Sequence, residues 1–430
     1  LHASADTIVT PSAISDRRAR YVLLVLLLVY VLNFLDRQVV VILAEPIKRD
    51  LGLSDTQVGL MAGLAFALLY TVLGFPLARY ADRPRSDRVG LIAVSLALWS
   101  AATALCGLST NFVQLLAARV GVGIGEAGCT PAAHSLISQM VKPEKRSSAL
   151  ALYGMGIPIG SLLGLVLGGL LADVLGWRHT FLILGLPGVA VALLVWLTIK
   201  DPRRLSGPAP LETVARPPLT EALKEMRASK AFVAIFVAAA VVAFLGYGKG
   251  VWTTIFFMRS HGLSPGQVGV WLGLGGGASG VFGTWLGGWL AERFGGKDPR
   301  RMLMGPIIGM SIAFPFLLLA YTVTDWRLAI LLVCIPTVFN SLSYGPAFAI
   351  IQGVIRPQNR AMAVAVVSFG QSLVGLGLGP LGFGMLSDAV TPLAGPQSVR
   401  WVLLGAAFLG LIPAYFFWRA SRHLARELIH

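Results

Sequence analysis

Charge is scarce in this chain. Only 13% of its 430 residues are Asp, Glu, Lys or Arg, against 56% hydrophobic, and the mean hydropathy is +0.75. A soluble domain carries about 25% charged residues, so water does not cover most of this surface. Cysteine is scarcer still: Cys106, Cys129 and Cys334 lie inside apolar runs without C-x-x-C spacing. That excludes a disulfide framework or a zinc site and leaves them as small packing residues. Neither H-E-x-x-H nor G-x-S-x-G occurs, and with no nucleophile–base or metal constellation an intramembrane enzyme is not expected. Two matches to the dinucleotide pattern, at Gly123/Gly125/Gly128 and Gly377/Gly379/Gly382, lie within apolar runs and follow no strand. No continuous polar ring suggests a channel. N-x-S/T sequons are absent and the loops are short, which fits a bacterial inner membrane. Acid is the minority sign, 20 residues against 35 Lys and Arg, and a net +15 would suggest nucleic acid in a soluble chain.

What is abundant is long apolar sequence. A helix crossing a bilayer needs about 20 apolar residues, and twelve runs qualify: 20–44, 55–80, 89–108, 112–139, 147–172, 180–199, 231–258, 266–291, 302–322, 328–350, 361–386 and 400–418. Backbone amides in lipid must be satisfied within their own segment, so these are expected to be helices, with no barrel alternation visible. The basic residues sort by loop: 26 fall in the even-numbered loops and tails, six in the odd-numbered loops, and three (Arg37, Arg119, Lys249) within runs. By the positive-inside rule both termini are cytoplasmic. The positive excess thereby becomes a topology signal, and nucleic acid drops out as a partner. Residues 1–15 read as a disordered tail, and the first run is too long and charge-interrupted for a cleaved signal. The Pro-rich stretch 200–230 reads as a cytoplasmic linker between six-helix bundles at 1–199 and 231–430, with a short solvated helix near Thr220–Ser229.

The two halves repeat. Gly52-Leu53-Ser54-Asp55-Thr56-Gln57-Val58-Gly59 aligns with Gly262-Leu263-Ser264-Pro265-Gly266-Gln267-Val268-Gly269. At the same offset Gly63 meets Gly273 and Asp82-Arg83 meets Glu292-Arg293, while Pro143-x-x-Arg146 is echoed by Pro357-x-x-Arg360. Parallel repeats of this kind bind substrate at the interface of the halves near the midplane. The run from Ala78 to Asp82-Arg83, with Arg85 and Arg88, and its copy from Gly288 to Glu292-Arg293, resemble the loop 2–3 motif of the major facilitator superfamily, with Ala for Gly in the first copy. The resemblance implies an all-α membrane protein of twelve transmembrane helices in two pseudo-symmetric halves. A carboxylate at a helix end is stabilised by a facing helix N-terminus. Asp82 is therefore expected near Arg360 and Glu292 near Arg146, as a cytoplasmic gate formed only when that side closes; a basic loop that merely sets topology is the alternative. A glycine every fourth residue, Gly156 to Gly168, gives the fifth run a smooth face.

Ionisable residues inside spans cost about 2.5–3.5 kcal/mol each on insertion scales and point to function. Asn33, Asp36 and Arg37 lie in the first run, Arg119 and Glu126 in the fourth, and Lys249 beside Tyr247 in the seventh. At about 1.5 Å per residue Asp36 and Arg119 reach similar depth, so they are expected to pair. Glu126 is deeper and has no basic sequence neighbour, making it the first choice for a coupling proton, with Asp36 next. Arg37, Arg119 and Asn33 are then expected to bind substrate, and Lys249 and Tyr247 to form an outer gate. The four charges of the first half sum to zero, so a packing network without transport chemistry is the bland alternative. His134 reads as a packed histidine rather than a relay.

The pairing of N-F-L-D-R in the first run with R-x-G-x-G-x-G-E-A in the fourth, and the stretch Gly154–Gly169, resemble the Spinster group. That resemblance implies export of lysophospholipids or sphingolipid phosphates, with Asp36, Arg37 and Glu126 as site residues. Proton-coupled alternating access is expected, with no cofactor beyond the proton gradient, by a chain taken to act as a monomer. Similar patterns in organic anion:proton symporters keep a small-anion substrate as the alternative, and that alternative should show polar residues in both halves.

Overall fold

The computed structural model describes residues 16–83, 86–202, 219–295, 299–342 and 344–427, and among them there is helix and no strand. Helix α1 (Asp16–Leu51) is followed by α2 (Asp55–Gly59), which runs through a π-turn into α3 (Ala65–Asp82). Next come α4 (Arg88–Gly107), α5 (Phe112–Glu126), α6 (Cys129–Met140), α7 (Arg146–Gly154) and α8 (Gly156–Thr198). A short α9 (Leu219–Ala228) leads to α10 (Lys230–Ser260), α11 (Pro265–Gly295), α12 (Met304–Thr322), α13 (Trp326–Ser341) and α14 (Tyr344–Val354). The chain ends with α15 (Arg360–Gly370), α16 (Gly379–Ala394), α17 (Ser398–Leu409) and α18 (Leu411–Glu427). Eight of the described helical stretches are long and apolar enough to cross a membrane. One of them, Pro143–Thr198, turns back on itself at Gly176. The backbone there has φ 75°, a conformation open to glycine and strained for a residue with a Cβ.

The sequence repeat has a local physical cause. Gly52 and Gly262 both adopt positive φ, 64° and 66°, ending one helix before the next begins. Ser54 then caps α2: its Oγ accepts from the Gln57 amide at 3.1 Å, and Gln57 Oε1 accepts from the Ser54 amide at 2.9 Å. Ser264 and Gln267 reproduce the same reciprocal box at 3.2 and 3.0 Å. The glycines that follow let the halves touch. A Cβ on Gly63 would stand 2.7 Å from the Gly377 carbonyl oxygen, and one on Gly273 would stand 3.2 Å from Val166 Cγ2. The first contact joins α2–α3 to the π-turn before α16, and the second joins α11 to α8. Equivalent positions of the repeat therefore make equivalent contacts between halves.

The Gly156–Gly168 face packs on α1 within its own half: a Cβ on Gly156 would stand 2.9 Å from Tyr30 Cβ, and one on Gly164 2.6 Å from the Leu35 oxygen. It serves close static packing. Helix α9 is not simply solvated, because Ala222 and Met226 are buried against the second half and Glu225 Oε1 accepts from the Arg356 amide at 2.9 Å. Its amphipathic pattern is satisfied by docking.

Arg88, one of the basic residues of the loop motif, is wholly buried and paired with the equally buried Asp201. Its Nε donates to Asp201 Oδ2 at 2.9 Å and its Nη1 to the Ser135 oxygen at 3.0 Å, tying the start of the linker to α4 and α6. Breaking a buried pair from one side leaves an uncompensated charge. Arg88→Met is expected to cost roughly 3–5 kcal/mol, most of it recovered by adding Asp201→Leu, as read from thermal unfolding in detergent.

Candidate functional site

Between the halves lies a cavity of about 500 Å³. The first half contributes Phe34, Arg37, Gln38, Val41, Ala62, Phe66 and Arg119. The second half contributes a polar wall: Lys249, Asn340, Ser341, Ser368, Gln371 and Ser372 all line the space. Both π-turns, Leu60–Leu64 and Gln371–Leu378, border it, and such turns often mark functional positions because they break the regular hydrogen-bond ladder.

The buried charges do not pair as expected. Arg37, rather than Arg119, holds the first carboxylate: its Nη2 stands 2.7 Å and its Nε 2.8 Å from Glu126 Oε2. Helix α5 ends at Glu126 and α6 begins at Cys129, so the acid sits at a break in its span. The rings of Phe34, Phe66 and Tyr70 surround the Arg37 guanidinium at 5.0, 4.8 and 4.7 Å. Asp36 makes no ion pair with Arg119; it accepts from Thr103 Oγ1, at 3.3 Å. Arg119 is 2% exposed, and its Nε reaches the Met61 carbonyl at 3.4 Å. Depth along the helix was the only guide in the sequence; the rotation that decides partners comes from packing. Asn33 Oδ1, Asp36 Oδ1, Arg119 Nη1 and Glu126 Oε1 are all buried without a hydrogen bond among the described residues. Four such atoms in one cluster are unusual, because buried polar groups are nearly always satisfied.

Lys249 and Tyr247, expected at an outer gate, are elsewhere: both line the cavity. The closed end of the bundle is built instead from Glu45, Lys48, Asp55, Arg259 and Asp388. Arg259 lies about 15 Å further along α10 than Lys249, at 1.5 Å per residue. It donates to Glu45 Oε2 at 2.8 Å and to both Asp55 oxygens at 2.9 and 2.7 Å. Lys48 also pairs with Asp55. Asp388 accepts from the Asp55 and Thr56 amides at 3.0 and 2.7 Å, and Asp173 accepts from Ser264 Oγ and the Gly266 amide at 2.6 and 3.1 Å. A carboxylate from each half thus caps the helix opening the other half's repeat. Sequence reading missed these residues because they sit at span ends, where charge is ordinary; only their convergence is informative.

At the opposite end no such closure is made by the described residues. Arg146 Nε donates to the Val141 oxygen at 3.3 Å and Arg360 Nε to the Ile355 oxygen at 3.2 Å, each within its own half. Asp82 is exposed, without an ion pair among the described residues, and lines an open cleft with Arg146 and His134. His134 stands edge-on to Tyr153 at 5.4 Å. Arg83 and Arg293 are exposed; the side chain of Glu292, and Arg85, lie outside the described residues.

Removing the closed end's electrostatics should shift it open. A carboxylate at a helix N-terminus is worth about 0.3–1 kcal/mol, up to ~2 when partly buried. Asp388→Asn, and more strongly Arg259→Gln, are expected to lengthen the distance between spin labels at positions 110 and 324, measured by electron–electron double resonance.

The geometry is of a kind found in known transporters. The Major Facilitator Superfamily pattern matches residues 26–373 and again 249–428. An MFS-type efflux pump of Mycolicibacterium smegmatis is 37% identical over 415 residues, covering 96% of this chain and 95% of that protein. Protein spinster homolog 1 of Xenopus tropicalis is 26% identical, over 97% and 83%. A crystal structure of a bacterial homolog of the human lysosomal transporter Spinster, inward-facing and unoccupied, superposes with TM-score 0.88 at 32% identity, over 97% of this chain and all of that one. A D-xylose–proton symporter shares the fold at TM-score 0.72 and 18% identity. The chain belongs to the Major Facilitator Superfamily and, within it, resembles the Spinster transporters.

Proposed function

We propose that this protein moves a lysolipid-like amphiphile, a lysophospholipid or sphingolipid phosphate, across a bacterial inner membrane by proton-coupled alternating access. Twelve crossings with both termini cytoplasmic place the Asp55 end outside and the Asp82 end inside, so the arrangement described is closed outward and open inward. The observation that carries the reading is the cavity between the halves, closed at one end by ion pairs and lined by Arg37, Arg119 and Lys249. Phe34, Phe66 and the aliphatic walls suit a chain, while the cations suit an acidic head. The relative named as an efflux pump supports outward movement, and a lipidic cargo is what the resemblance to the Spinster group implies.

The same geometry suggests how a proton enters the cycle. Glu126 holds Arg37 in a pair, and a proton on Glu126 removes the charge that holds it. Arg37 is then released to the substrate, while Asp36, its neighbour in sequence and hydrogen-bonded by the Thr103 hydroxyl, is the second acidic position. Substrate and proton would each change the other's affinity through this one side chain, as linkage requires. Asp82 and Glu292, with Arg83, Arg146, Arg293 and Arg360, would form the inner gate in the outward-open state.

A second reading, a proton-linked carrier of small organic anions, is favoured by the polar residues Asn340, Ser341, Ser368, Gln371 and Ser372 in the second half. Proteoliposomes separate the two. Lysophospholipid movement that depends on a pH gradient supports the first reading, and gradient-dependent hexuronate movement with no lysophospholipid movement supports the second. Under either, Glu126→Gln should weaken the response to the gradient by roughly 5- to 150-fold, the range of ordinary coupling energies. Unchanged proton-driven transport in that variant would remove Glu126 as the carrier.

A further inference from the structure

The charges facing the cavity are all of one sign. Arg37, Arg119 and Lys249 line it, whereas Asp36 and Glu126, the buried carboxylates of the first half, do not. Glu126 is already committed to Arg37. Arg119 keeps Nη1 buried without a hydrogen bond, and Lys249 makes no ion pair among the described residues. Counting Asp36 and Glu126 against the three cations leaves one positive charge over. Its source is the second half, since no acid from α10 lines the space. An unpaired ammonium and a half-satisfied guanidinium in a partly dehydrated site are costly unless something anionic enters. The repeat does not supply the missing acid either, because the charged cluster of α1 and α5 has no counterpart among the second-half lining residues.

We infer that Lys249 is the second half's ligand for the substrate, and that with Arg119 across the cavity it selects heads of net negative charge over zwitterionic ones. The inference rests on the reading of the cavity as the substrate site, and it narrows the cargo to acidic amphiphiles. Because Arg119 belongs to one half and Lys249 to the other, a single anionic head bridges the halves. Asn340 and Gln371, on the same wall as Lys249, can donate to its remaining oxygens.

The test compares two lysolipids of identical acyl chain on the purified full-length protein in neutral nanodiscs: lysophosphatidylglycerol, net negative, and lysophosphatidylcholine, net neutral. Wild type is expected to bind the first more tightly. Lys249→Gln should reduce that preference by about tenfold, the size of one charge-assisted contact, and Lys249→Arg should keep it. Glucuronate is the third probe. If it binds while neither lysolipid does, and Lys249→Gln abolishes its binding, the amphiphile reading fails and the role of Lys249 stands. A preference that survives Lys249→Gln, equal weakening of both lysolipids, or no binding of any anionic probe to wild type would overturn the inference. Should Lys249→Gln not fold, the wild-type preference and its retention in Lys249→Arg remain decisive, and absence of either counts against it.

Discussion

Charge inside an apolar helix bundle is tolerated when it is paired or faces a water-filled space, and this requirement organises the molecule. Arg37 is acceptable in α1 because Glu126 reaches it across the half and three aromatic rings cover its faces. Arg119 and Lys249 are acceptable because the cavity lies in front of them. Remove the cavity, and both would be isolated cations in hydrocarbon. The space between the halves is therefore a condition for these side chains to exist where they do, and the side chains in turn decide what the space can hold.

The second organising feature is close backbone approach. Glycines at equivalent positions of the repeat bring α2–α3 against the turn before α16, and α11 against α8. Reciprocal carboxylate caps and the Arg259 network then fasten the same end. The caps and ion pairs are polar and short-ranged, and buried apolar side chains of both halves, Ile42 and Ile255 among them, belong to one cluster at this end. Interfaces of that kind can be exchanged for others at modest cost, which is what a rocking mechanism needs. The asymmetry between copies matters here. Where the first half has Asp55 the second has Pro265, so the ion network forms once, and only the helix caps are duplicated.

Within the candidate site, legibility followed depth and failed on rotation. Asn33, Asp36, Arg37, Arg119 and Glu126 were identifiable because charge in an apolar run is anomalous whatever its partners. Their partners were not, since Asp36 and Arg37 are adjacent and the side of α1 each presents depends on how α1 packs on α8. Lys249 was visible as an anomaly but misplaced towards the end of its helix. Asp173, Asp388 and Arg259 carried no signal at all, being ordinary span-end charges that become significant only by meeting.

The chain by itself determined that it is a helical membrane protein built from two copies, because hydropathy, the loop distribution of Lys and Arg, and the repeated Gly-Leu-Ser-x-x-Gln turn are local properties. The turn could be read in advance as αL glycine followed by a capping box, since both are fixed within six residues. Tertiary structure alone decided which acid neutralises which base, that the second half's wall is polar, and which end of the bundle is shut. Those outcomes depend on the relative rotation and tilt of helices far apart in sequence, and a change of about 100° in helix phase, one residue's worth, exchanges one partner for another.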